Sequence, residues 1–230
     1  STHMDALAAM VKAGGYDMGI AFDGDADRCL AVDELGNLID GDQIMAACGL
    51  DMKNKGLLPG STVVATVMSN LGLHIFAREN GMELECTDVG ARNVLERMVE
   101  KGYRLGGEQS GHMIFLDHAT TGDGQLTALQ LLALLKESGK RASEVFGACS
   151  RYPQVLINIP VADNDVKKAA MASPLLAQAV QREEDALAGE GRVLVRPSGT
   201  EALMRVMVEA KTQPQAQEAA QRLADLIPEL

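Results

Sequence analysis

The chain lacks any run of lysine and arginine. Its 21 basic residues are outnumbered by 32 acidic ones, and the net charge is -11. A nucleic-acid binder would show a basic patch, so that class is excluded. A membrane span is also missing, because the longest apolar-rich stretch, 126–135, is too short to cross a bilayer. No signal peptide is expected, and Ser1-Thr-His-Met4 reads as a cloning remnant outside the fold. The four cysteines, Cys29, Cys48, Cys86 and Cys149, are never paired at metal-ligand spacing. Each sits in an apolar or strand-like context, which reads as a buried reduced thiol in a cytoplasmic protein. There is no internal repeat and no low-complexity tract. What remains is an ordinary globular composition, 47% hydrophobic over 230 residues, enough for one large domain or two of ordinary size. In so acidic a chain an anionic ligand needs local positive charge, from arginines, a metal or backbone N–H groups.

The most informative stretch is Asp23-Gly-Asp25-Ala-Asp27-Arg28. Its flanks, 18–22 and 29–32, read as short buried strands, which puts three carboxylates in one turn. Crowded acids repel one another unless water or a cation intervenes, and carboxylate oxygens suit a hard divalent ion. Three rival readings exist. An EF-hand loop fails because Arg28 stands where glycine is required and the flanks are strands. An aspartyl-phosphate phosphatase motif has the right strand and Asp-x-Asp, but Asp27 where Thr or Val belongs. A merely solvated acidic turn is the third. A Mg2+ site fits best, with a coordination position left for phosphate.

The rest of the chain falls into segments. Residues 5–14 read as a helical stub, and 33–37 as a hairpin turn leading to Leu38 and Ile39. Residues 5–40 are too few for a domain and resemble the tail of another α/β domain. From 41 to 149 strands alternate with helices: a helix capped by Asp42 through Cys48, strand 61–68, helix 71–80, strand 82–87, helix 92–101, strand 103–105, strand 113–116 and helix 124–138. Such alternation predicts a parallel α/β domain with its loops on the carboxyl rim. Residues 150–230 predict a small α+β domain: strand 155–161, a helix broken at Pro174, strands 192–195 and 203–209, and a last helix capped by Thr212.

Two further loops carry chemistry. Gly106-Gly-Glu108-Gln109-Ser110-Gly-His112 combines glycines, which let backbone approach a ligand, with side chains suited to sugar hydroxyls. Read bluntly, it is a polar loop between strands. A neutral His112 there could move protons near pH 7. Arg196-Pro-Ser198-Gly199-Thr200 offers a guanidinium fork, two hydroxyls and glycine-exposed N–H groups, the makings of a phosphate clamp. It lacks the Gly-Lys-Ser/Thr ending of a P-loop. Arg92 is one more cation on the rim.

Taken in this order, the three loops resemble those of the α-D-phosphohexomutase family over 16–224. Family members have four domains around one cleft. The resemblance implies the end of the second domain, then the third and the fourth, with earlier domains of the same polypeptide missing. It implies Mg2+ held by Asp23, Asp25 and Asp27, with Arg28 beside them. It makes Glu108 and Ser110 readers of the sugar, and His112 a general acid/base. Arg196, Ser198, Gly199 and Thr200 would hold the phosphate not being transferred. Gln109 and the strand 203–209 look like the branch that acts on glucosamine phosphates in bacterial cell-wall synthesis. A mannose or glucose phosphate mutase of the same family is the runner-up, and a non-catalytic sugar-phosphate binding module the alternative of another class. Two departures stand out: Ala202 replaces the usual Pro, and Ala91 replaces the usual Asp before Arg92. The implied chemistry is a phosphate relay through a phosphoserine and a bisphosphate. No Ser-His-Asn segment of the expected kind occurs here, so these residues alone are expected to be inactive.

Overall fold

The computed structural model describes residues 4–199 and 201–229. Residues 1–3 of the expected cloning remnant, and Thr200 of the expected clamp, therefore lie outside the described residues. Contacts divide the chain into two compact units, Ser1–Ser150 and Arg151–Leu230.

The first unit opens with helix α1 (Asp5–Gly14) against an antiparallel sheet of β1 (Met18–Phe22), β2 (Cys29–Asp33) and β3 (Leu38–Ile39), in the order β1-β2-β3. All five residues of β2 are buried. The β2–β3 turn closes around Asp33, whose Oδ1 accepts the N–H groups of Leu35 and Asn37, with Gly36 at φ 81. A second sheet runs β5-β4-β6-β7, from β4 (Thr62–Thr66), β5 (Glu83–Thr87), β6 (Leu105–Gly107) and β7 (Met113–Phe115). Strand β4 is parallel to both β5 and β6, but β6 and β7 form an antiparallel hairpin. The expectation of an all-parallel sheet is thus corrected at this edge. Only the short 108–112 segment separates β6 from β7, too short for a crossover connection.

Helices α2 (Gly41–Asn54), α3 (Leu71–Glu79), α4 (Ala91–Lys101), α5 (Gly124–Ser138) and α6 (Ala142–Phe146) surround these sheets. The short α6 was not expected. Helix α2 differs from expectation at both ends. Its cap is Asp40, not Asp42. Asp40 is extended and its carboxylate accepts from Asp42 and Gln43, while Gln43 bonds back to the Asp40 amide. The helix continues through Gly49, which packs against Val63 where a Cβ would not fit. One apolar cluster, including Ile44, Met45, Leu73, Leu105, Leu131 and Phe146, fills the interior. Cys29, Cys48 and Cys149 are buried in it and form no disulfide. Burial pushes their thiols up to about 12.

Capping at Asp40 turns Asp42 inward. Its carboxylate Oδ2 accepts the Asn70 amide at 2.7 Å and the Gln109 side-chain amide at 3.0 Å. Next to it, the Gly41 amide donates to the Gln109 carbonyl at 3.0 Å. The start of α2 is thereby fastened both to the β4–α3 turn and to the β6–β7 loop. Burial, reinforced by the Asp40 carboxylate, pushes Asp42 up to about 7, against hydrogen bonds from Asn70, Ser69 and Gln109.

The second unit is an antiparallel sheet, β8-β10-β9, of β8 (Gln154–Pro160), β9 (Arg192–Pro197) and β10 (Leu203–Glu209). It packs with α7 (Asn164–Ala172), α8 (Pro174–Ala186) and α9 (Gln213–Leu226). The break between α7 and α8 falls at Pro174, which takes the first position of the second helix. Thr212 caps α9, whose Ala216, Ala219, Ala220 and Leu223 join Met204, Val206 and Val208 in the core. Glu209 is fully buried and pairs with Arg192 opposite it at 3.1 Å. No helix among the described residues is long and apolar enough to cross a membrane.

Two outcomes follow from the junction at α2. A Cβ on Gly41 would lie 2.0 Å from the Glu108 carbonyl oxygen and 2.9 Å from the Gly111 nitrogen, both backbone atoms that cannot swing away. Gly41→Ala should lose about 2–3 kcal/mol in urea unfolding; an unchanged midpoint would contradict this packing. The second concerns pH. A carboxyl whose folded pKa is raised favours the fold in its protonated form, so its contribution is full below about pH 4 and lost as pH rises to about 7. Wild type should therefore lose about 2 kcal/mol between pH 5 and 8 from this group. Asp42→Asn keeps an oxygen for the two N–H donors and should flatten that part of the profile. Parallel profiles for the two proteins would remove Asp42 as the cause.

Candidate functional site

The acidic turn joins two strands whose pairing is fixed by their buried residues. Phe22 pairs with Cys29, which leaves 23–28 as the connecting loop. Asp23, Asp25 and Asp27 each offer a carboxylate oxygen, and these lie within 4.8 Å of one another. Asp23 and Asp25 are exposed and Asp27 is half-buried. The backbone between them is bent into the left-handed region at Ala26, φ 59, unusual for a residue with a side chain. That conformation is over-determined from two sides. The Ala26 amide bonds to the Asp23 carbonyl, and the Gly124 amide at the start of α5 bonds to the Ala26 carbonyl at 2.9 Å. Gly124 is needed there, since a Cβ would meet the Ala26 and Arg28 carbonyl oxygens at 2.8 and 2.6 Å. Arg28 bends back over the turn, its amide on Asp23 Oδ1 at 3.2 Å and its Nε 3.7 Å from Asp23 and 3.9 Å from Asp27. Three hard oxygen donors at one exposed turn, with a single half-exposed guanidinium beside them, fit a hard divalent cation.

The 106–112 loop lies directly against this turn. The Cys29 amide donates to the Gly111 carbonyl at 3.0 Å, and Arg28 and His112 form an antiparallel bridge. His112 is buried. Its Nδ1 lies 3.0 Å from Asp27 Oδ2, and its Nε2 accepts the Gly122 amide at 3.1 Å. An Nε2 that accepts leaves the ring proton on Nδ1, donated to Asp27. A Cβ on Gly122 would collide with the imidazole. Both ring nitrogens of His112, the expected general acid/base, are thus hydrogen-bonded within the protein.

The glycines of this loop also differ from expectation. Gly106 and Gly107 are buried residues of β6, packed against Val94 and Met98 and against Met113. Gly111, at φ 91, fits against the Cys29 carbonyl. All three serve chain packing. Glu108 is half-buried, with Oε1 accepting the Gly90 amide at 3.1 Å, and Ser110 is exposed. Gln109 points its amide inward to Asp42. Arg92 is an exposed residue of α4 paired with Glu96 at 2.7 Å, an ordinary ion pair one helical turn apart.

In the second unit, Arg196 belongs to β9 and not to a turn, because the β9–β10 ladder runs on to Met204 opposite Pro197. Its cross-strand partner is Arg205. Burial, then the charge of Arg205, pushes the Arg196 guanidinium below its ordinary range. Among the described residues Arg196 has no carboxylate partner, whereas Arg205 bonds Glu201 at 2.8 Å. Ser198 is buried, its hydroxyl accepting the Glu201 amide at 3.2 Å. Gly199 is exposed, and a Cβ there would meet nothing within 4 Å. Packing does not demand a glycine at that position.

Sequence reasoning gave no role to Gly122, Lys167 or Arg205. The Gly-Asp-Gly run before α5 was a visible signal for the first, and the β9–β10 register would have paired Arg205 with Arg196. Lys167 is a buried lysine of α7 whose Nζ donates to the Ser198 carbonyl at 2.9 Å and the Glu201 carbonyl at 2.5 Å.

Three models of one enzyme family match the chain in succession. Domain II of phosphoglucomutase/phosphomannomutase covers residues 1–36, its alpha/beta/alpha domain III covers 40–152, and its C-terminal domain covers 156–226. The phosphoglucosamine mutase of Pelotomaculum thermopropionicum is 56% identical across the whole chain, which covers 51% of that protein. The phosphoglucosamine mutase of Ruminiclostridium cellulolyticum is 59% identical over 92% of the chain and 47% of its own length. The chain thus spans about half the length of the curated relatives it matches. Among solved structures, a phosphoglucomutase/phosphomannomutase family protein of Burkholderia thailandensis superposes with a TM-score of 0.79 at 22% identity, over 98% of this chain and 51% of that one. The N-acetylphosphoglucosamine mutase of Aspergillus fumigatus, in complex with GlcNAc-6P and magnesium, gives 0.75 at 22% identity, over 96% and 52%. With that family's domains II, III and IV matched in order along nearly all of its length, the chain belongs to the phosphoglucomutase/phosphomannomutase, or α-D-phosphohexomutase, family.

Proposed function

We propose that the full-length protein is a phosphoglucosamine mutase, interconverting glucosamine 6-phosphate and glucosamine 1-phosphate in the cytoplasm for bacterial cell-wall precursor synthesis. The observation that carries this reading is the junction of the acidic turn with the Glu108–Ser110 loop through Asp27 and His112. It sets three cation-ready carboxylates beside a loop with two polar side chains suited to a sugar. Identities above 50% to phosphoglucosamine mutases support the choice of hexosamine.

In this reading Asp23, Asp25 and Asp27 hold Mg2+. When bound, the ion offsets negative charge on the phosphoryl group in transfer. Arg28 adds a positive charge at the same turn. Glu108 and Ser110 bond the sugar hydroxyls. Arg196, Ser198, Gly199 and Thr200 hold the phosphate that stays in place. The desolvated Arg196, with no carboxylate partner among the described residues, favours a dianion. The serine that carries the phosphoryl group belongs to the remaining half of the full-length protein. These 230 residues by themselves are expected to show no turnover. His112 serves this site as a positioning residue, its N–H fixing the Asp27 carboxylate.

The first test is an assay of the full-length protein with Mg2+ and a trace of sugar bisphosphate on glucosamine, mannose and glucose 6-phosphates. A preference in kcat/KM for glucosamine is expected. A preference for mannose or glucose would overturn the hexosamine choice and leave the relay. Arg196→Ala should raise KM for the sugar phosphate at least tenfold, the order of one lost charge-assisted bond; unchanged kinetics would dismiss the clamp. The metal turn is tested on the 230-residue chain by Mn2+ titration. Asp25→Asn should abolish binding. His112→Ala should weaken it about tenfold, and His112→Asn, which keeps a donor near Nδ1, should restore most of it. Full affinity in His112→Ala would remove the ring from the metal turn.

A further inference from the structure

We propose that Lys167 is a positioning residue of the 196–201 loop, holding it in the form that receives an oxyanion; this rests on the clamp reading above. Lysine is among the residues least often buried, because desolvating an ammonium ion is costly. Lys167 is nonetheless 6% exposed. It reaches out of α7, and no carboxylate pairs with it among the described residues. Its partners are backbone oxygens, the Ser198 carbonyl at 2.9 Å and the Glu201 carbonyl at 2.5 Å. These two carbonyls bracket the turn between β9 and β10.

The consequence follows from peptide geometry. All peptide bonds described here are trans. In a trans peptide the C=O and the following N–H point in opposite directions. Drawing the Ser198 carbonyl toward Lys167 therefore turns the Gly199 N–H away from it. Gly199 is exposed, with open space where a Cβ would be. Its amide is left on the side of the peptide away from the ammonium, where the proposal has it meet a phosphate oxygen. The same ammonium puts a full positive charge behind the loop. Together with Arg196 and Arg205 on the adjoining strands, it makes a local concentration of cations in a chain of net charge -11. A neutral donor could satisfy the two carbonyls, but it would not add that field. Lys167 touches the loop from behind, and its contribution passes through the backbone.

The test uses the 230-residue chain and two probes, inorganic phosphate and glucosamine 6-phosphate, followed by amide NMR and calorimetry. In wild type, the Gly199 amide is expected to shift on titration with either probe. No shift at saturation would overturn the proposal without any variant. Lys167→Met should weaken glucosamine 6-phosphate about tenfold, the order of one charge-assisted interaction. Lys167→Arg, which keeps charge and donors, should recover part of the loss. Arg196→Ala separates the two readings. If it weakens binding and Lys167→Met does not, the clamp stands and the role of Lys167 falls. If neither variant changes affinity, the clamp falls and this inference with it. Should Lys167→Met not fold, the Gly199 shift in wild type and the affinity of Lys167→Arg decide; an unshifted amide overturns the proposal.

Discussion

The contact between Asp27 and His112 is the constraint on which the first unit's site depends. The acidic turn and the 108–112 loop come from different sheets. One side-chain bond, the Cys29–Gly111 backbone bond and the Arg28–His112 bridge lock them into a single surface. The lock is itself backed. Gly122 presses on the imidazole and bonds Nε2, and Gly124 bonds the strained Ala26. Both come from the few residues that open α5. A short, glycine-marked segment with no obvious chemistry thus holds two chemical loops in register.

Buried polar groups repeat this pattern. Asp42 ties α2, the β4–α3 turn and Gln109 together, while Lys167 gathers two carbonyls of the β9–β10 turn. Each is a costly group to bury. Each sits where two or more backbone segments meet. The carboxylates gathered at 23–27 and the cations gathered at the β9–β10 turn give an acidic chain two places of opposite local charge. It segregates charge by loop, and the total of -11 says little about either place.

The family resemblance was legible because its motifs are local. Asp-x-Asp-x-Asp, Gly-Glu-Gln-Ser-Gly-His and Arg-Pro-Ser-Gly-Thr each state their chemistry within a few residues. The fold class was legible for a similar reason, since helices and strands declare themselves by period and by punctuation such as Pro174 and Gly139. What misled was the meaning of individual residues inside the motifs. The glycines at 106, 107 and 111 look like ligand approach in one dimension, but in three they are filled by Val94, Met98, Met113 and the Cys29 carbonyl. His112 looks like a free base, and its ring nitrogens bond Asp27 and Gly122. Gln109 stood out only as a mark of the branch, and its amide bonds Asp42.

By itself, then, the sequence determined which chemistry is available: three acids at one turn, a sugar-suited loop, and an arginine-led anion loop, on an α/β framework with a small α+β unit after it. Those are properties of residue type and short spacing. Only the tertiary structure decided which of those side chains face outward and which are consumed in holding the others. The reason is that hydrogen-bond capacity is finite, and its allotment depends on partners far away in the chain. Asp42 and Gln109 are separated by 67 positions and Asp27 and His112 by 85, distances at which no local pattern can speak.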